Sequence, residues 1–144
     1  MKQMPDSSTR IVFSNEMGFK YFDLEFAENG VFKTYYVLPQ MDKKSVLTTL
    51  RKDFELLLMQ HLDNSQAFLL HKNGLLYYGF PQEKGNNYYV VDSSCQQLIR
   101  AERASSRKTV VTATMQGYEA GLPDTIGIHH EQFEFNISLK KIKD

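Results

Sequence analysis

Residues 19–38 read FKYFDLEFAENGVFKTYYVL, and this stretch decides the fold. Phe22, Leu24 and Phe26 alternate with Tyr21, Asp23 and Glu25, the period of a strand with one buried and one solvated face. Glu28-Asn29-Gly30 marks a turn, and 31–38 resumes as a strand. Two loop geometries compete. A two-residue Asn29-Gly30 loop sets Lys33 opposite Phe26, on the apolar face. A three-residue loop with Gly30 left-handed sets Phe26 opposite Phe32, Phe22 opposite Tyr36 and Glu25 opposite Lys33. The second register separates apolar from charged side chains and is the one expected.

Pro39 ends this hairpin, and Asp42 is the expected N-cap of one amphipathic helix over 43–61. Val46, Leu47, Leu50, Phe54, Leu57 and Leu58 form its apolar stripe, with Lys44, Thr48, Arg51, Lys52 and Glu55 on the other side. Arg51 and Glu55 are spaced as an i,i+4 ion pair. Leu56 and Met59 fall outside the stripe, so the helix should be covered on more than one side near its end.

Strands are predicted at 10–14 before the hairpin, then at 67–71, 75–80, 88–91, 96–102, 108–118, 125–129 and 132–140. Asn73-Gly74 is a second hairpin signal. Short connections favour antiparallel pairing. The expectation is an α+β, mainly antiparallel β protein: a curved sheet or unclosed β-barrel of about seven to nine strands, whose concave face the long helix covers. The strand and helix faces nominate Phe22, Leu24, Phe26, Phe32, Tyr36, Leu50, Phe54 and Leu57 as its apolar lining. Eight such groups either pack together completely or leave a pocket for an apolar ligand.

The 144 residues suit a single domain, 1–144. Lysine and arginine total 17 against 17 acidic residues, without the basic surplus that neutralises phosphates, so no nucleic acid is expected as a partner. Cys95 is the only cysteine, which excludes an intrachain disulfide and a thiolate zinc quartet. No apolar run reaches the length of a transmembrane span, and 1–5 does not read as a signal segment.

Chemistry-bearing residues are scattered. His129 and His130 are adjacent on a strand, so their rings point to opposite faces and read as surface histidines near a turn. His61 stands near the helix C-terminus and His71 on another element. Cys95 reads as a small strand filler. Asp23 and Glu25 share a strand face, where pairing with cross-strand cations explains them better than acid–base catalysis does. The chain has no phosphate loop, nucleophile elbow or H-E-x-x-H helix. The expectation is a non-enzymatic protein with no metal and no cofactor.

Two stretches carry a family resemblance. The run from Met4 to Phe13, followed by Gly18 and Phe22-Asp23-Leu24, resembles a strand–turn–strand signature of bacterial lipoprotein carriers and receptors, the outer-membrane lipoprotein localisation factor-like superfamily. Leu122-Pro123-Asp124-x-Ile126-x-Ile128, then Ile137-x-Leu139-x-x-Ile142, is similar to that superfamily's closing hairpin. The nearest likeness is to envelope lipoproteins of Bacteroidetes-type bacteria. The chain departs from the pattern in lacking a lipid-attachment cysteine near Met1 and the element that usually precedes the first motif. The resemblance implies a half-barrel with a cavity for a lipid, an acyl chain or a lipoprotein. It also implies a place in the bacterial cell envelope, periplasmic or lipid-anchored in the full-length precursor. The alternative is a structural or protein-interaction module whose cavity its own helix fills.

Overall fold

The computed structural model describes residues 1–141, so Ile142 of the closing motif lies outside the described residues. The chain forms two compact units, Met1–His61 and Leu62 onward.

The first unit holds strands β1 (Lys2–Gln3), β2 (Thr9–Ser14), β3 (Lys20–Phe26) and β4 (Phe32–Val37), then helix α1 (Lys44–Leu57). The strands form a sheet in the order β1-β2-β3-β4, all antiparallel. The hairpin loop has the expected geometry. Ala27 N–H donates to Val31 O, Gly30 sits at φ +80°, and Phe26 faces Phe32 while Glu25 faces Lys33. The register then shifts between Asp23 and Leu24, so Phe22 faces Val37 and Asp23 faces Tyr36. This corrects the expected pairing of Phe22 with Tyr36. One extra residue in β4 moves Tyr36 to the charged face, where it is 40% exposed.

Helix α1 is shorter than the expected 43–61, and its ends explain why. Asp42 does not cap it. Its backbone N–H is held in a turn by Leu38 O at 3.1 Å, which leaves Lys43 as the N-cap without a side-chain hydrogen bond. At the other end Met59 turns left-handed at φ +54°, Met59 N–H donates to Leu56 O, and Gln60 N–H reaches back to Glu55 O. Two reversed bonds of this kind stop a helix, normally with glycine at the left-handed position. Met59→Gly is therefore expected to raise stability by about 0.5–1 kcal/mol, the left-handed penalty less the entropy glycine adds to the unfolded chain. Met59→Val should lower it, because a β-branched residue tolerates positive φ least. Midpoints of urea titrations in the order Gly, Met, Val from highest to lowest are the expected outcome. Among the helix residues, Leu50, Asp53, Phe54 and Leu56 are buried; Leu56 is covered although it lies outside the stripe, and Asp53 was not anticipated.

The second unit is a seven-stranded antiparallel meander in sequence order. A short 3-10 turn, Asn64–Gln66, precedes β5 (Phe68–Lys72), β6 (Leu75–Gln82), β7 (Gly85–Val91), β8 (Leu98–Ala104), β9 (Thr109–Glu119), β10 (Leu122–His130) and β11 (Asn136–Lys140). Tyr89, Ala101, Ala113, Ile128 and Ile137 stand opposite one another from β7 to β11, and all are buried. Neither sheet closes on itself. Among the described residues the protein is thus mostly antiparallel β with one α-helix, but its strands fall in sheets of four and seven rather than one sheet of seven to nine. No helix among the described residues is long and apolar enough to cross a membrane.

Candidate functional site

The two faces of β3 divide the first unit's chemistry. On one face Phe54 stands 5.9 Å from Phe22 and 6.0 Å from Phe26, ring centre to ring centre, and Phe26 lies 5.1 Å from Phe32. Phe13 stacks on Phe22 at 5.2 Å. Of the eight nominated residues, Phe22, Leu24, Phe26, Leu50 and Phe54 are buried, with Leu24, Leu50 and Phe54 at 0% exposure. Phe32 and Leu57 are half-buried, and Tyr36 lies on the other face of the sheet.

That other face carries a ladder of charges. Asp23 accepts from Arg10 Nε at 2.6 Å and Nη2 at 3.1 Å, and from Lys20 Nζ at 3.1 Å. Glu25 accepts from Lys33 Nζ at 3.3 Å and the Tyr35 hydroxyl at 3.1 Å. The Arg10 guanidinium also lies 3.7 Å from the centre of the Tyr35 ring, a cation–π contact that links the two carboxylate clusters. The carboxylates are the inner layer. The Asp23 side chain is 7% exposed, whereas the tips of Lys20 and Lys33 are largely in solvent. Hydrogen bonding from Arg10, and then from Lys20, holds the Asp23 carboxyl below the usual carboxylate range against the opposing effect of burial. Both carboxylates are thus engaged by cations. The sequence anticipated the Glu25–Lys33 pair. Arg10 was not anticipated, because the turn ending at Gly18 marks where β2 and β3 meet without fixing which of their residues stand opposite.

A polar cleft of about 550 Å³ opens at one end of the unit, lined by Thr9, Glu28, Gly30, Gln60 and His61 among others. None of the eight nominated residues lines it. Ser7, Met59 and His61 all border it with positive φ, a concentration of backbone strain that sequence patterns do not reveal. The His61 ring packs on Gly30, where an added Cβ would come within 2.4 Å of it. Its Nε2 lies 3.4 Å from Glu55 Oε1, the oxygen that Arg51 Nε already contacts at 2.7 Å in the expected i,i+4 pair.

In the second unit, the reading of two surface histidines holds for His129 alone. His129 is exposed, with Nδ1 2.7 Å from Asn136 Oδ1. His130 is buried, stacked on Phe133 at 4.8 Å with Nδ1 2.6 Å from Phe135 O. The cause is an irregular loop over 131–135, which folds the two phenylalanines back over the ring instead of continuing the expected strand. Cys95 is not a strand filler either. It is exposed in the turn after Asp92, at φ +56°. His71 is exposed on β5. Among the described residues, no three histidine, cysteine or acidic side chains gather as metal ligands. No family model, curated protein or solved structure matches this chain.

Proposed function

We propose that this protein is a non-enzymatic interaction module whose helix α1 fills the apolar face of its first sheet and which works through the charged outer face of β2–β4. One observation carries the reading: Leu24, Leu50 and Phe54 are 0% exposed, so no space large enough for water borders them. An acyl chain gains about 0.8 kcal/mol per buried methylene, but it would first have to expel side chains worth about 1.5–3 kcal/mol each. The exchange yields little net affinity.

The outer face is better supplied for recognition. Three cations stand over the two inner carboxylates, Asp6 lies close enough to Lys33 to interact with it, and Tyr35 and Tyr36 are exposed beside them. Aromatic rings among pre-positioned cations suit an acidic protein segment. The likeness of the two end motifs to lipoprotein carriers supports a setting in the cell envelope.

The test is a pair of titrations on the folded chain, one with a labelled glutamate-rich peptide and one with a fluorescent fatty acyl probe. Saturable peptide binding, weakened at least about tenfold in a Lys20→Glu/Lys33→Glu variant and by added salt, is expected. Failure of the peptide to bind overturns the outer-face reading. Saturable acyl binding that Leu24→Asp weakens, in a variant that stays folded, would establish the lipid-carrier alternative.

A further inference from the structure

β5 is one edge of the seven-stranded sheet, so one side of its backbone has no strand partner. Unpaired edge N–H and C=O groups are a template for another strand unless something blunts them. The other sheet edges among the described residues are blunted. β1 has only 2 residues and covers Thr9 and Arg10 alone, and the short length of β2 beyond it is broken by a register irregularity between Phe13 and Ser14. β4 has an irregular register and carries Lys33. β11 presents Asn136, Ser138 and Lys140 at its exposed positions. β5 pairs with β6 without a register shift, contains no proline, and exposes Leu69 and Leu70 at 47% each, on opposite faces.

We propose that β5 pairs antiparallel with β5 of a second copy of this chain, about a two-fold axis through Leu70. A two-fold axis normal to a sheet keeps each side chain on its own face, so only residues whose numbers sum to an even value can stand opposite each other. Of those registers, the one centred on Leu70 engages the whole strand. Leu70 meets Leu70, Leu69 meets His71, and Phe68 meets Lys72. The two Lys72 side chains fall at opposite ends of the pair and never face each other. Leu70 of each copy covers that of the other, and Leu69 packs against His71 on the opposite face. On its face the Leu70 pair extends the aromatic group of Phe68 and Tyr88, whose ring centres are 6.0 Å apart. A formal net charge of +0 removes any net repulsion between copies. An interface this narrow belongs to the small, reversible class, so the dimer depends on concentration.

Sedimentation of the full chain tests this. The mass should rise from 16.7 kDa toward twice that value as concentration increases. Leu70→Lys and Leu70→Glu should each remain monomeric, because the axis sets like charges directly opposite. Mixing the two variants should restore the dimer, since lysine then meets glutamate. Hydrogen exchange on the parent protein needs no variant, and protection confined to 68–72 should grow with concentration. A parent chain monomeric at every concentration, exchange at 68–72 that ignores concentration, or a mixture no heavier than its folded components would each overturn the proposal.

Discussion

Replacing Phe54 with alanine is expected to cost about 3–5 kcal/mol, the range for deleting a large ring from a closed core. Phe54 is wholly buried, edge-on to Phe22 and tilted against Phe26, so its removal opens a cavity walled by rings that sit on a hydrogen-bonded strand. Strand backbones shift little, which keeps the cavity from collapsing and puts the cost high in that range. Thr48, on the exposed side of the same helix, provides the contrast. Thr48→Ala should move stability by no more than about 0.5 kcal/mol. Urea titrations followed by far-UV circular dichroism make the comparison. Equal effects of the two substitutions would mean that the helix does not present Phe54 to the sheet.

The elements that were legible are those whose signal is local. Glu28-Asn29-Gly30 specified its loop because only one register separates Phe26 from Lys33, and Asn73-Gly74 specified another, with both residues at positive φ. The turn at Ala120-Gly121 has the same backbone form but carries alanine where asparagine usually signals it, and it passed unnoticed. Prolines misled in a different way. Pro81 and Pro123 lie inside β6 and β10, although proline removes a ladder donor. Pro81 is tolerated because the neighbouring strand has already ended, β5 reaching only to Gly79. That is a fact of strand length, which no local pattern contains.

The candidate site divides along the same line. The apolar residues of β3 and α1 could be nominated from periodicity, and five of the eight are buried. Tyr36 could not be placed, because the register shift that redirects it leaves no trace in an alternating sequence. The sequence also could not say whether the face is open or filled, which depends on side-chain volumes meeting in three dimensions. The cleft at His61 was invisible for a related reason, since it is built from two loops and a helix end far apart in the chain.

Arg10→Met is expected to destabilise the protein by about 2–3 kcal/mol at neutral pH, by leaving a nearly buried carboxylate with one partner in place of two. The pH dependence follows from Asp23. Its folded-state carboxyl titrates below the usual range, chiefly through the Arg10 hydrogen bonds, whereas the unfolded value is near 3.9. A depressed carboxylate contributes stability that is present above about pH 4 and lost as pH falls through the folded value. The parent should therefore lose this contribution in acid, while the variant, lacking most of it, has less to lose. The gap between them should narrow steadily below about pH 4. A second substitution, Asp23→Leu, should recover most of the loss at neutral pH, because replacing both members of a buried pair with apolar groups is often close to neutral. Lys20 is not stranded by this change, since its side chain is 45% exposed and keeps its hydration. Urea titrations of parent, single and double variants at about pH 7 and about pH 3 test the account. A penalty of the same size at both values would mean that Arg10 acts through packing on Tyr35, and that the charge ladder does not hold this face together.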